Sequence, residues 1–210
     1  MNAVLIFTIL YGIIPFVYYS LTKDRNLLKS IYPFLIIVFI ASIYEFIYPI
    51  LFKTSIKYWF LVYKSLAFIS LHYFYFFELD KKHKLLFVFF IIVFLVFVIL
   101  TFSVWNNIFY MEVSSYFNAL QTIIVLTFST LWFVKSFKEL EMKSLLESPV
   151  FFIIAGLIIS YCGTVFLFLL AELLYKIDKS SFQEYWMLNI ILNLLLRTLL
   201  IFGIWKAQAR

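Results

Sequence analysis

Long uninterrupted apolar runs alternate with short polar breaks along the whole chain. A helix needs about 20 apolar residues to cross the roughly 30 Å hydrocarbon core of a bilayer, and seven runs reach that length. The predicted membrane-spanning helices cover residues 2–22, 30–52, 56–79, 84–103, 112–137, 148–175 and 182–206. The breaks are too short to be domain linkers, and no internal repeat is visible. The pattern predicts a single transmembrane domain over 1–210, an all-α polytopic membrane helix bundle.

Composition supports this fold class. The 210 residues are 65% hydrophobic and 13% charged, whereas a soluble domain is about half apolar and a quarter charged. The mean hydropathy is +1.04. Seven spans with short connections use almost the whole length, so no separate soluble catalytic or sensory domain is expected. The lipid bilayer is therefore the first predicted partner.

The distribution of lysine and arginine predicts the orientation, because short cytoplasmic loops carry an excess of both. Eleven of the 17 basic residues fall in the loops after spans one, three and five and in the C-terminal tail, and four fall in the opposite loops. This bias places the N-terminus outside and the C-terminus in the cytoplasm. The N-terminus also lacks the basic segment and cleavage site of a signal peptide, so we expect a retained first span.

Other compositional features narrow the expectations further. The net charge is +6, but the basic residues are scattered over short loops, so no nucleic-acid partner is expected. Cys162 is the only cysteine and lies in an apolar run, which favours a structural role. With four Gly and four Pro, the chain is predicted to have neither small-residue helix packing nor helices broken in mid-membrane.

Two opposite charges are predicted at similar depth inside the membrane. By a helical rise of 1.5 Å per residue, Glu45 lies roughly 10 Å and Lys64 roughly 12 Å below the outer ends of spans two and three. A charged side chain in hydrocarbon normally faces the bundle interior and finds a partner. Since consecutive spans form a hairpin, we expect Glu45 and Lys64 to form an ion pair.

Further polar residues are predicted at about the same level. The depth estimate places Asn118 and Gln121 of span five and Asn189 of span seven there, with Asn193 one turn further in and Glu172 of span six nearer the surface. Two interpretations remain open. These groups are interhelical hydrogen bonds that fix the packing, or they line a pocket, open to the outside, for a small polar or amphipathic ligand.

Span seven carries a polar stripe, since Asn189, Asn193 and Arg197 recur at every fourth position. Arg197 lies about 20 Å from the outer end by helical rise. It is expected to meet His72 or Glu78 of span three, to act with Glu78 as a cytoplasmic-side switch, or to extend toward headgroups. His72 has no second histidine at ligand spacing, so a packed histidine is favoured over a metal ligand or proton carrier.

No catalytic signature is visible in the sequence. It contains no Gly-rich phosphate loop, HExxH, GxSxG or CxxC motif, and no metal ligand set is predicted. Seven spans with an external N-terminus is also the topology of rhodopsins. A retinal protein needs a lysine midway along span seven, where this chain has Asn193, so retinal is excluded and no cofactor is expected.

Three short motifs carry a resemblance to a known group of proteins. They are Tyr44-Glu45 in span two, Ser148-Pro-Val-Phe-Phe at the start of span six, and Trp186-Met-Leu-Asn189 in span seven. With the compact seven-span layout, they resemble small uncharacterised bacterial seven-transmembrane proteins of the Bacteroidota type. The resemblance implies the bacterial inner membrane and a sensory or signalling role beside a separate histidine kinase. It implies no ligand and no catalytic residue.

Three functions follow as expectations. The first is a non-enzymatic receptor or sensor component, or an accessory subunit, that binds a ligand in the outer half of the bundle and signals through a separate protein. The second is a transporter or lipid-handling protein that uses the same polar interior. The third is an intramembrane enzyme acting on lipid.

Overall fold

The computed structural model describes residues 2–22, 28–52, 57–103, 110–139, 145–177 and 179–209. The regular elements in these ranges are helical, which confirms the all-α fold class. A one-turn 3₁₀ helix, Leu145–Glu147, precedes the seventh helix. In chain order the α-helices are α1 Asn2–Tyr11, α2 Ile14–Leu21, α3 Tyr32–Phe52, α4 Lys57–Glu78, α5 Lys84–Ser103, α6 Tyr110–Glu139, α7 Pro149–Ile177 and α8 Lys179–Gln208.

Four of the described helices are long and apolar enough to cross a membrane. These stretches are Lys84–Thr101, Ser115–Lys138, Pro149–Leu170 and Tyr185–Gln208. A shorter apolar stretch lies in α3 at Tyr32–Glu45. The membrane-helix character predicted from the sequence is therefore present in the fold, while seven spans and their orientation stay predictions.

The predicted first span is two helices rather than one. α1 ends at Tyr11 and α2 begins at Ile14, with a turn at Gly12 and Ile13 between them. Pro15 has no N–H and cannot donate to the carbonyl of Tyr11, four residues back. The N–H of Ile13 bonds only three residues back, to the carbonyl of Leu10 at 3.0 Å. The expectation that no helix is interrupted is wrong at this position.

The helices close into a ring. α7 packs along α6 on one side and α8 on the other, and α8 also contacts α1 and α2. Those two short helices pack on α3, which packs on α4, and α4 packs on α6. Large side chains fill the interior, and the largest that are fully buried include Tyr75, Phe74, Phe34, Phe117 and Phe128. α5 is the least buried of the four membrane-length stretches.

Hydrogen bonds join α4 to α6 at three levels along the length of the two helices. The bonded pairs are Lys64–Asn118, Lys64–Gln121, Tyr75–Ser129 and Glu78–Lys135. In each pair the two residues are 54 or 57 positions apart. This constant offset means that α4 and α6 run in the same direction in one register, over about 26 Å of helix between Asn118 and Lys135. α5, which connects them, therefore runs the opposite way.

Candidate functional site

The centre of the candidate site is a buried contact between α4 and α6. Lys64 is 8% exposed, and Asn118 and Gln121 are each 1% exposed. The Lys64 ammonium donates to Oδ1 of Asn118, and Nε2 of Gln121 donates to the Lys64 carbonyl at 2.7 Å. The same ammonium lies 5.2 Å from the ring centre of Phe168 on α7, a cation–π contact. Three residues that the sequence placed at one depth thus meet in space.

Two polar atoms at this contact have no hydrogen-bond partner in the described part of the chain. They are Nδ2 of Asn118, a donor, and Oε1 of Gln121, an acceptor. The two residues are three positions apart on α6 and so lie on one face of the helix. A buried polar group without a partner costs about 1–3 kcal/mol. A hydroxyl or a carboxamide, which both accepts and donates, has the chemistry to satisfy the two atoms together.

Hydrogen bonds to α7 hold this face of α6 in place. The Thr122 hydroxyl is 2.8 Å from the Asn118 carbonyl and 3.1 Å from the Tyr161 carbonyl. One turn before Asn118 on α6, the Ser115 hydroxyl donates to the Phe168 carbonyl at 2.5 Å. These bonds fix the rotation of α6 relative to α7, and therefore the direction in which Asn118 and Gln121 point.

Glu45 of α3 belongs to the same region but has two cationic neighbours. Its carboxylate lies within electrostatic range of both Arg197 and Lys64. The expected pairing of Glu45 with Lys64 is thus only part of the arrangement, since Arg197 of α8 is a second cation in the same region.

Arg197 reaches the break in the first span. Its Nη1 donates to the Thr8 carbonyl at the end of α1. Gly12 leaves the space for this contact, because a β-carbon there would lie 2.8 Å from Cζ of Arg197 and would overlap the hydroxyl of Ser42. The contacts of Arg197 therefore differ from the three expected for it, which were His72, Glu78 and the headgroups.

His72 and Glu78 have partners elsewhere. Nε2 of His72 lies 3.0 Å from the Phe87 carbonyl, and its ring packs edge-on against the rings of Phe87 and Phe128. Its other ring nitrogen, Nδ1, is buried without a hydrogen-bond partner among the described residues, so the packed histidine stays a prediction. The carboxylate of Glu78 accepts a hydrogen bond from the Ser30 hydroxyl at 2.6 Å.

Two further predicted residues, Asn189 and Asn193, bond to each other on α8. Nδ2 of Asn193 is 2.9 Å from the Asn189 carbonyl and 3.1 Å from its Oδ1, so the two bond along α8. The side chain of Glu172 lies outside the described residues. Among the described residues, no group of three or more His, Cys, Asp and Glu side chains is placed to hold a metal ion.

An apolar layer lies below the site. Phe68 and Leu71 of α4 and Val125 and Phe128 of α6 are each at most 3% exposed. They stand between the level of Lys64 and Asn118 and the level where the hydroxyls of Tyr75 and Ser129 meet at 2.7 Å. The buried imidazole of His72 lies in the same layer, because its ring packs on Phe68 and Phe128. Apolar side chains therefore fill only part of the space between the polar site and the next polar contact.

Sequence reasoning missed several residues of the region. The rings of Tyr44 on α3 and Trp59 at the start of α4 stack at 4.1 Å, and the indole N–H of Trp59 is buried without a partner in the described chain. Gly12 and Thr8 are absent from the prediction because a continuous first span contains no break. The spacing of Gly12 and Pro15 was the available signal for a break in that span.

Comparison with known proteins adds no name to this arrangement. No protein-family model matches the chain, and neither a curated protein nor a solved structure matches it. The resemblance to small seven-span bacterial proteins therefore stays a prediction, and the function has to be argued from the residues.

Proposed function

We propose that the protein is a seven-span membrane receptor or sensor component, or an accessory subunit, that binds a small polar or amphipathic ligand in the outer half of its bundle. It has no enzymatic output of its own and acts through a separate partner protein. The loop charges support an external N-terminus and a cytoplasmic C-terminus. The shared direction of α4 and α6, with α5 returning between them, supports alternating spans in this part of the chain.

The observation that carries the proposal is the pair of buried, unpartnered amide atoms on Asn118 and Gln121. Polar groups inside a membrane protein are costly and typically mark a functional site. Here the donor and the acceptor belong to side chains one turn apart on α6, and each of these side chains bonds to Lys64. A ligand hydroxyl or carboxamide would satisfy both amides, and the nearby cation favours a ligand whose polar end also carries an acceptor.

The bonds between α4 and α6 support a route for the signal. Lys64 and Asn118 belong to the same two helices that meet again at Glu78 and Lys135, about 21 Å further along α4. A ligand that shifts α4 relative to α6 at Lys64 and Asn118 would also shift the contact between Glu78 and Lys135 in the same direction. Helix shifts of this kind occur in other switching proteins.

A transporter or lipid-handling protein is the second candidate. One observation favours it, namely the break between α1 and α2 with Arg197 seated on it. Secondary transporters commonly use interrupted helices at their binding sites. The two candidates differ in access, since a receptor site opens to the outside, whereas a transport site becomes accessible from both sides.

Cysteine accessibility tests the proposal without knowledge of the ligand. In a Cys162→Ala background, Asn118→Cys and Gln121→Cys are each exposed to a small membrane-impermeant thiol reagent in cells and in inside-out vesicles. Labelling from outside alone is the expected result. Val125→Cys, one turn beyond Gln121 toward the predicted cytoplasmic end of α6, is the matched control. It is as buried as the two site residues and should remain unlabelled, because the proposed opening reaches only Asn118 and Gln121. Failure of both site variants to react from outside would contradict an external site, and reaction from both sides would favour transport.

A further inference from the structure

The turn between α4 and α5 concentrates exposed positive charge. We name residues 81–84 the basic turn. It contains Lys81, Lys82, His83 and Lys84, whose side chains are all exposed. The acidic residue that precedes it, Asp80, faces away to α6, where its carboxylate lies 2.6 Å from the ammonium of Lys135. The turn therefore presents three lysines within four residues at the surface.

The backbone of the turn is held in a conformation that residues other than glycine rarely adopt. Asp80, Lys81 and His83 have φ angles of 51°, 57° and 60°. α4 ends with the N–H of Lys81 bonded to the Phe76 carbonyl at 2.9 Å and the N–H of Asp80 bonded to the Phe77 carbonyl at 3.0 Å, as in a Schellman motif. Left-handed residues of this kind cluster at functional sites. The bonds fix where the lysines stand.

Apolar side chains lie directly below the basic turn. The Lys81 ammonium is 5.3 Å from the ring centre of Phe77, which is 41% exposed. α5 begins at Lys84, and its first exposed apolar residues are Leu85, Val88 and Phe89, with Leu85 87% exposed. This surface continues along the membrane-length stretch Lys84–Thr101. Cations thus meet an apolar surface at one end of a lipid-facing helix.

We propose that the basic turn and the adjoining face of α5 bind a phospholipid with an anionic headgroup. The negatively charged headgroup would contact the lysines, while the acyl chains would lie along Leu85, Val88 and Phe89. An acidic segment of a soluble protein would satisfy only the lysines, because the apolar side chains below them face hydrocarbon. The combination of both surfaces therefore favours a lipid over a protein partner.

Native mass spectrometry and nanodisc exchange with phosphatidylglycerol and phosphatidylcholine test this site on the full chain. The test variant is Lys81→Gln with Lys84→Gln. The control is Lys29→Gln with Lys138→Gln, which removes the same charge from two other exposed lysines. A lysine near a membrane surface contributes about 1 kcal/mol, or about fivefold, to binding of anionic lipid. We expect the preference for phosphatidylglycerol to fall about thirtyfold in the test variant and less than about twofold in the control.

Equal loss in the two double variants would overturn the proposal, since it would show a diffuse effect of net charge. An unchanged lipid preference in the test variant would also overturn it, and loss of an acidic co-purifying protein in that case would assign the turn to a protein partner. A measurement on the unaltered protein guards against a variant that fails to fold. Raising the salt from about 0.1 to 1 M shortens the screening length from about 10 to 3 Å and should reduce the preference for phosphatidylglycerol.

Discussion

Arg197 of α8 lies against the backbone of Gly12, at the point where α1 and α2 meet. Its guanidinium bonds to the Thr8 carbonyl and occupies the space that a side chain on Gly12 would need. The last helix of the chain, α8, thus contacts the break between α1 and α2. This contact closes the ring of helices between its two ends and brings Arg197 into the electrostatic neighbourhood of Glu45.

Gly12→Ala should destabilise the protein. The new methyl group would overlap the Ser42 hydroxyl and crowd Arg197, and insertion of a methyl into a packed interior typically costs about 1–3 kcal/mol. Reversible unfolding in mixed micelles measures the loss. Ser42→Ala removes one of the two clashes and should recover part of the stability in the double variant. Strict additivity of the two changes would contradict the close approach at Gly12.

Glu45→Gln should be partly compensated by Arg197→Met as well as by Lys64→Met. Glu45 lies in the electrostatic neighbourhood of both cations, and groups in one charged network show coupling energies of about 0.5–3 kcal/mol. Two double-mutant cycles, measured as free energies of unfolding, give the coupling of Glu45 to each cation. No coupling to Arg197 would leave the simple ion pair expected from the sequence and contradict a role for Arg197.

Tyr75→Phe should weaken the contact between α4 and α6 at its middle level. It leaves the buried Ser129 hydroxyl without its partner at 2.7 Å. Because hydrogen bonds inside membrane proteins average about 0.6 kcal/mol, we expect a loss of about 0.5–1 kcal/mol. Tyr73→Phe, at a tyrosine that is 40% exposed, is the matched control. Equal effects of the two substitutions would show that the loss does not come from this bond.

Substitutions at Asp80 should separate backbone strain from charge. Asp80 has a left-handed backbone and also pairs with Lys135. Asp80→Gly relieves the strain and loses the exposed ion pair, so stability should change by less than about 1 kcal/mol. Asp80→Ala loses the pair and keeps the strain, and should cost about 1–2 kcal/mol. Thermal unfolding in detergent compares the stabilities of the two variants. Equal losses of stability would mean that the ion pair, and not backbone strain, determines the effect of substitution at Asp80.

The seven-span topology predicts the fate of terminal tags. A tag after Arg210 should resist protease added to intact cells, whereas a tag before Met1 should be cleaved. Digestion of the C-terminal tag after permeabilisation is the control that shows it can be cut. Cleavage of that tag in intact cells would overturn the orientation predicted from the loop charges.

Helical rise along each span predicted much of the site. It placed Lys64, Asn118 and Gln121 at one depth, and the structure brings these three together. Helical rise does not predict the contacts of Arg197, because it gives the depth of the backbone and not that of the end of a long side chain. Side chains tilt toward the N-terminus of their helix, so the guanidinium is expected nearer the start of α8 than its own backbone is.

The spacing of residues within one helix is a second signal that the sequence contains. Asn189 and Asn193 are four residues apart, a separation at which side chains on one helix reach each other, and they bond together along α8. The partner of Glu78 could not be predicted. Ser30 lies at the start of the region leading into α3 and meets Glu78 only because the helices pack as they do. Pairings of this kind depend on which helix faces are adjacent, which one sequence does not contain.

The shared direction of α4 and α6 has a consequence for the biosynthesis of the protein. Asn118, a partner of Lys64, follows it by 54 residues, which at 5–20 residues per second takes a ribosome about 3 to 11 s to synthesise. During this interval α4 is already made, but the amide that receives its ammonium does not yet exist. The sequence predicts α4 as a span, and on that prediction its insertion depends on the later arrival of α6. A chain truncated before Asn118 should then leave α4 poorly inserted.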